Sequence, residues 1–280
     1  TRPLLSGGYN ALGVEQRTEQ AKEALSALLS HWQADERLRY VERHYPAYLL
    51  RTDMETQIRH AEFIRNAQQN KQVLATTLRT LAFEGVTEVA IYAPDQPNML
   101  SLLAGACARA GADIADAQIY TTRDGYALDT MNVRREFQND ADEMRRAERI
   151  ADEIKTALRG ERRDDGAAMP AQTIRRSNKA FSVETDIVID NTLSNRFTVI
   201  EASGKDRNGL LRDLATALFE LSLNISSAHI ATFGERAVDV FYVTDLIGHK
   251  VDSKARQSLI KRRLEQAFET SNAKTNKKVA

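Results

Sequence analysis

The strongest constraint on this chain is that it repeats itself. Leu210, Leu211, Leu214, Leu218 and Leu221 mark one face of a helix, and an offset of 111 positions (Leu210 against Met99) lays them on Met99, Leu100, Leu103, Cys107 and Ala110. Each of these helices follows a short β-prone run, 87–93 in the first copy and 197–203 in the second. Each is then followed by a pair of strands. The first pair, 113–122 and 126–137, turns through Arg123, Asp124 and Gly125; the second, 224–232 and 237–245, turns through Phe233, Gly234 and Glu235. A second helix closes each copy, over 140–158 with Ala147, Ile150, Ile154 and Leu158 inward, and around Leu259, Ile260, Leu264 and Phe268. A hairpin and two helices hide their apolar faces only when both helices lie on one side of an antiparallel sheet. The expectation is therefore an α+β chain built from two ferredoxin-like (βαββαβ) domains in tandem.

Such a unit needs four strands. The chain after Phe268 is polar, from Glu269 to Lys277, so the second copy lacks its last strand and keeps an open edge that self-association or another domain would cover. The spare β-prone segment 181–190, alternating through Val183, Ile187 and Ile189, either completes the first sheet or serves the second in permuted order. Ahead of the repeat, Ala21, Leu25, Leu28, Leu29 and Trp32 take helical spacing across 15–33, and Ile58, Ala61, Ile64 and Ala67 across 53–69, with Pro46 bending the chain between them. The expected division is a helical segment at 1–80, one domain at 86–190, a second at 195–270 and a flexible tail at 271–280, with 159–172 as a flexible connection.

Composition narrows the partners. The 39 basic and 39 acidic side chains cancel, which leaves no whole-chain field to draw in nucleic acid or an anionic membrane. Cys107 is the single cysteine and lies in an apolar stretch, so a buried thiol in a reducing, cytoplasmic setting is expected. No run approaches the ~18 apolar residues of a membrane span, and the N-terminus has no signal-peptide pattern. The chain opens on Thr1 and reads as a fragment of something longer.

The chemistry sits where strand meets helix. The turns are Asp95, Gln96, Pro97, Asn98, Met99, Leu100 in one copy and Asp206, Arg207, Asn208, Gly209, Leu210, Leu211 in the other. Their fourth position is Asn or Gly, the residues that best tolerate positive φ. The helix N-terminus behind such a turn offers N–H groups and a positive dipole end to a carboxylate, while Asp95 or Asp206 suits an ammonium group. Asp113 with Ile114, and Asn224 with Ile225, enter the next strand and add contacts from it. One Asp before one helix is commonly just an N-cap. Two copies at identical spacing give the ligand reading its weight.

In the order Asp-x-Pro/Asn-Gly/Asn-x-Leu these turns resemble the ACT domain family, whose members bind amino acids at that turn and at interfaces between domains. The segments "DAQIYTTRDGYALDT", "RFTVIEASGKDRNGLL" and "ISSAHIATFGERAVDVFYVTDLIGHKV", preceded by "HYPAYLLRTDMETQIRHAEFIR", are similar to the C-terminal part of the family of bifunctional enzymes that uridylylate and deuridylylate PII signalling proteins. Two positions depart from the family turn: Asn98 stands where Gly is usual, and Asn208 where Pro is usual. The resemblance implies a glutamine-sensing role, PII as a partner through the full-length enzyme, a possible homodimer through the ACT domains, and magnesium in catalytic domains elsewhere in the parent. It implies no cofactor in this chain, which has neither the Gly-Ser turn with paired aspartates of a nucleotidyltransferase nor an adjacent His-Asp pair. The other readings are a stand-alone two-ACT binding regulator and an enzyme whose active site lies in the first 80 residues.

Remaining candidates read as structural. His31, His44 and His60 lack metal-ligand spacing, His229 and His249 are isolated, and Arg159 to Asp165 is a mixed-charge linker. Asp129 and Asp239 fall one position out of register under the 111-residue offset, and their mid-strand places, away from the turn, suggest a shared structural role anchoring hydrogen bonds across a domain interface.

Overall fold

The computed structural model describes residues 11–161 and 183–276. Four helices come first: α1 (Ala11–Leu28), α2 (Ala34–Glu42), α3 (Pro46–Arg51) and α4 (Met54–Gln69). The first copy of the repeat is β1 (Ala75–Leu81), β2 (Val86–Pro94), α5 (Met99–Arg109), β3 (Ile114–Thr121), β4 (Tyr126–Arg134) and α6 (Asp140–Leu158). The second is β5 (Asp186–Asp190), β6 (Thr198–Lys205), α7 (Leu210–Glu220), β7 (Leu223–Phe233), β8 (Arg236–Asp245) and α8 (Lys254–Asn276). The residues divide into two compact units, one of Thr1–Thr77 with Ile91–Asp95 and Tyr120–Asp129, the other of Leu78–Ala90, Gln96–Ile119 and Thr130–Ala280.

In the first unit Pro46 starts α3, where its missing N–H costs nothing, and Asp53 caps α4 by accepting from the Thr56 N–H at 2.9 Å. Leu25, Leu29, Trp32, Tyr48 and Ile64 form a core with Tyr92, Tyr120 and Leu128 from the strand ends. Arg43 fastens this packing: its guanidinium donates to the Tyr92 hydroxyl at 2.8 Å and to Asp124 at 2.6 Å, and its carbonyl accepts from the Arg123 N–H. Among the histidines, His31 meets Glu62, while His44 and His60 are buried among tyrosines, and burial pushes His60 down to about 4.

Hydrogen-bonded strands run in the order β1-β2-β4-β3-β7-β8-β6-β5. The ferredoxin-like plan holds, and its fourth strand enters from the N-terminal side in both copies. β5 pairs antiparallel with β6, Asp186 opposite Ser203 and Asp190 opposite Val199, which answers the question left open for this segment in favour of the second sheet. It also closes the edge expected to stand open. β1 does the same for β2, inside a stretch read as helical, because Thr76, Thr77 and Thr80 favour an extended chain. Residues 271–276, expected as loose tail, continue the backbone of α8, whereas Phe181, Ser182, most of the linker and 277–280 lie outside the described residues.

Within the second unit the apolar faces meet as the periodicity requires. Leu214, Leu218, Phe241, Val243, Ile260 and Leu264 have essentially no exposed surface. Cys107 is buried beside Met131 and its thiol is pushed up to about 12 by that burial, so it behaves as a small apolar side chain. A Cβ on Gly204 of β6 would stand 2.6 Å from the Phe268 ring and 3.1 Å from the Thr185 hydroxyl. Replacing Gly204 by Ala is therefore expected to destabilise the chain by about 1–3 kcal/mol in urea denaturation, through overpacking against α8.

Candidate functional site

The two strand-to-helix turns adopt the backbone their fourth residues suggested. Asn98 has φ 63° and Gly209 φ 78°, both left-handed, and neither α5 nor α7 receives a side-chain cap from that residue. The strand ends are held alike: the Asp95 N–H donates to the Gly125 carbonyl at 2.9 Å, and the Asp206 N–H to the Glu235 carbonyl at 2.8 Å. In the second turn Arg207 donates to Asp213 of α7 and to the Ala267 carbonyl of α8, both at 2.6 Å. That pins the loop between two helices.

A cleft of about 40 Å³ opens at the second turn. One wall is Asp206, Asn208, Gly209, Leu210 and Leu211; the facing wall is Asp113 and Ile114 at the start of β3, with Ala104, Ala108 and Ala112 beside them. Its floor is the sheet face carrying Ile230, Thr232, Ala237 and Asp239. The sequence candidates of the second turn thus meet the strand entry of the first copy, because β3 and β7 are neighbours in the sheet. Asn224 and Ile225, at the strand entry of their own copy, do not line this cleft. Asp95, Asn98 and Met99 belong to the other turn, where the Thr121 hydroxyl donates to the Asp95 carboxylate at 3.2 Å. Small side chains on α5 let α7 come close: Ser101 and Thr216 hydroxyls are 2.8 Å apart, and a Cβ on Gly105 would meet Arg212 at 3.5 Å.

The cleft is acidic where it is free to act. Burial raises the Asp206 carboxyl above the usual carboxylate range, the nearby Asp113 charge adds to the rise, and the bonded Arg207 N–H and Thr232 hydroxyl oppose it. Asp113 is paired with Arg134 at 3.2 Å. Arg207 and Arg212 are both engaged by Asp213. The start of α7 offers N–H groups to an anion, and the acids beside it offer partners to a cation. Among the described residues no group of three or more His, Cys, Asp or Glu side chains is placed to hold a metal ion.

Asp239 corrects one reading. It was placed away from the turn, yet it lines the cleft with Asp206. Its apparent slip in register comes from the hairpins, where β3 ends at Thr121 and β4 starts at Tyr126, but β7 runs to Phe233 and β8 starts at Arg236. With the shorter turn allowed for, Asp129 and Asp239 are equivalent: one accepts the Tyr120 N–H at 3.2 Å and the other the Ala231 N–H. Thr232, Ala104 and Ala108 were not singled out; only Thr232, at the repeat offset from Thr121, carried a signal in the sequence.

Fold and cleft together define the chain as a pair of ACT-type modules. Residues 193–275 match the ACR family N-terminal ACT domain. Over 261 residues, 93% of its length, the chain is 48% identical to the C-terminal region of the bifunctional uridylyltransferase/uridylyl-removing enzyme of Bradyrhizobium diazoefficiens. The match spans 28% of that relative. A looser likeness, at 16% identity and a TM-score of 0.36, covers 64% of this chain and 26% of aspartate kinase from Synechocystis, known from its crystal structure. Among the described residues no helix is long and apolar enough to cross a membrane.

The buried carboxyls predict a pH dependence. Burial raises Asp129 and Asp239 well above the usual range. Folding stability from each is complete below the ordinary unfolded value of about 3.9 and is lost as pH rises through the raised folded value. Asp129→Asn and Asp239→Asn each keep an oxygen for the N–H bond. Each is expected to flatten the fall in stability as pH rises above about 4, by up to roughly 1.4 kcal/mol per pH unit, as read from urea midpoints.

Proposed function

We propose that this chain is the glutamine-sensing regulatory region of an enzyme that attaches and removes uridylyl groups on PII nitrogen-signalling proteins. The observation that carries the reading is the cleft at the second turn, which a left-handed glycine, the uncapped start of α7 and Asp206 line together with Asp113 and Ile114. Similarity to the relative named above supplies the enzyme. Catalysis, its magnesium and contact with PII belong to other parts of the full-length protein, in the cytoplasm.

The size of the cleft suggests how sensing works. About 40 Å³ holds roughly three waters at ~10–15 Å³ each, less than a whole amino acid. Ligand entry therefore widens the space between the turn of one module and the β3 entry of the other, and the arrangement of the modules becomes a function of ligand. No second chain is required for this pairing, since β3 and β7 lie side by side in one chain.

Isothermal titration of the chain with glutamine, with glutamate and asparagine as controls, tests the proposal. Selective glutamine binding is expected, and Asp206→Ala should weaken it about tenfold or more through loss of a charged partner. Folded protein that gives no heat with glutamine at millimolar concentration contradicts the reading.

A further inference from the structure

Like Arg207, whose Nε is unmatched, Asp239 is a group in the cleft with incomplete bonding. It is 2% exposed, lies on β8 between Ala202 of β6 and Ile230 of β7, and its Oδ1 has no hydrogen-bond partner. The Ala231 N–H satisfies the carboxyl elsewhere. A buried acceptor left unmatched in a folded chain calls for an explanation, and here it lines the same small space as Asp206. Burial and the neighbouring Asp206 charge both disfavour a second anion at this point. The first module repeats the arrangement. Asp129 is fully buried with its Oδ2 unmatched, and the charge of Asp95 acts on it as that of Asp206 acts on Asp239.

Two carboxyls that repel each other in a small, partly buried cleft are stabilised together by one cation placed between them. An ammonium group brings three N–H donors and a full charge, which a neutral amide does not. We propose that Asp239 is a ligand-binding residue, its Oδ1 joining Asp206 to receive the ammonium group of the amino acid held in the cleft. This rests on the amino-acid-sensing reading and adds a specificity to it: the α-amino group, and not the side-chain amide, is what the paired acids read. The uncapped start of α7 is left for the ligand carboxylate, so the zwitterion is gripped at both charges.

The test compares glutamine with glutaramate, the same molecule without its amino group, by titration calorimetry on the 280-residue chain. The unaltered chain is expected to prefer glutamine by roughly 100-fold or more. Asp239→Asn, which preserves shape and the bond from Ala231, should shrink that preference about tenfold or more while changing glutaramate affinity by no more than about twofold. Unaltered protein that binds glutamine, with a preference that survives the substitution intact, overturns the role of Asp239 and leaves the sensing reading standing. Unaltered protein that binds no glutamine overturns both. If the variant does not fold, the unaltered chain still decides: glutamine bound with no more than about a twofold preference over glutaramate overturns the proposal.

Discussion

A left-handed residue at the junction of strand and helix is the constraint on which the rest of this structure depends. At Asn98 and Gly209 the chain leaves a strand, reverses through positive φ and enters a helix that runs back over the sheet. For a residue with a Cβ the left-handed region costs roughly 1–2 kcal/mol, and only Asn, Asp and Gly enter it readily. Because the reversal uses backbone geometry and not a capping side chain, the first turn of α7 keeps its polar end directed at the cleft. Arg207 then holds the reversal in place through Asp213 and Ala267, so the loop is tied to two helices and does not move independently of them.

The second requirement is that the turn of one module face the strand entry of the other. Neighbouring β3 and β7 provide that, and the short side chains of α5 allow α7 to approach. Neither module alone supplies both walls of the cleft. A ligand that fits one arrangement of the modules better than another shifts their balance by its differential affinity; a tenfold preference is about 1.4 kcal/mol. Edge strands β1 and β5 make this economical for a single chain, since each caps the outer edge of its own sheet and leaves the inner edges to meet.

Much of this was legible in the residues. The offset that superimposes Leu210 to Leu221 on Met99 to Ala110 located both helices, and Asp124-Gly125 and Gly234 located both hairpins. The resemblance carried by the two turns pointed to the ACT family before any coordinates. Other features were less legible. β1 is only half-buried and lacks the strong alternation of a two-faced strand, while β5 showed its alternation in the residues but joins the sheet whose edge is free. The cleft pairs residues from different copies, Asp113 with Asp206, which no spacing within one copy can disclose. Asp239 was visible but misplaced, because the shorter second hairpin hid its equivalence to Asp129.

The most direct test of the central claim, that ligand is held between the two modules at the second turn, is amide hydrogen exchange of the chain with and without glutamine. The account predicts slowed exchange in two separated stretches at once, around 206–212 and around 112–115, since both walls touch the same molecule. Protection confined to one of them, or appearing instead at the turn around 95–99, would contradict it.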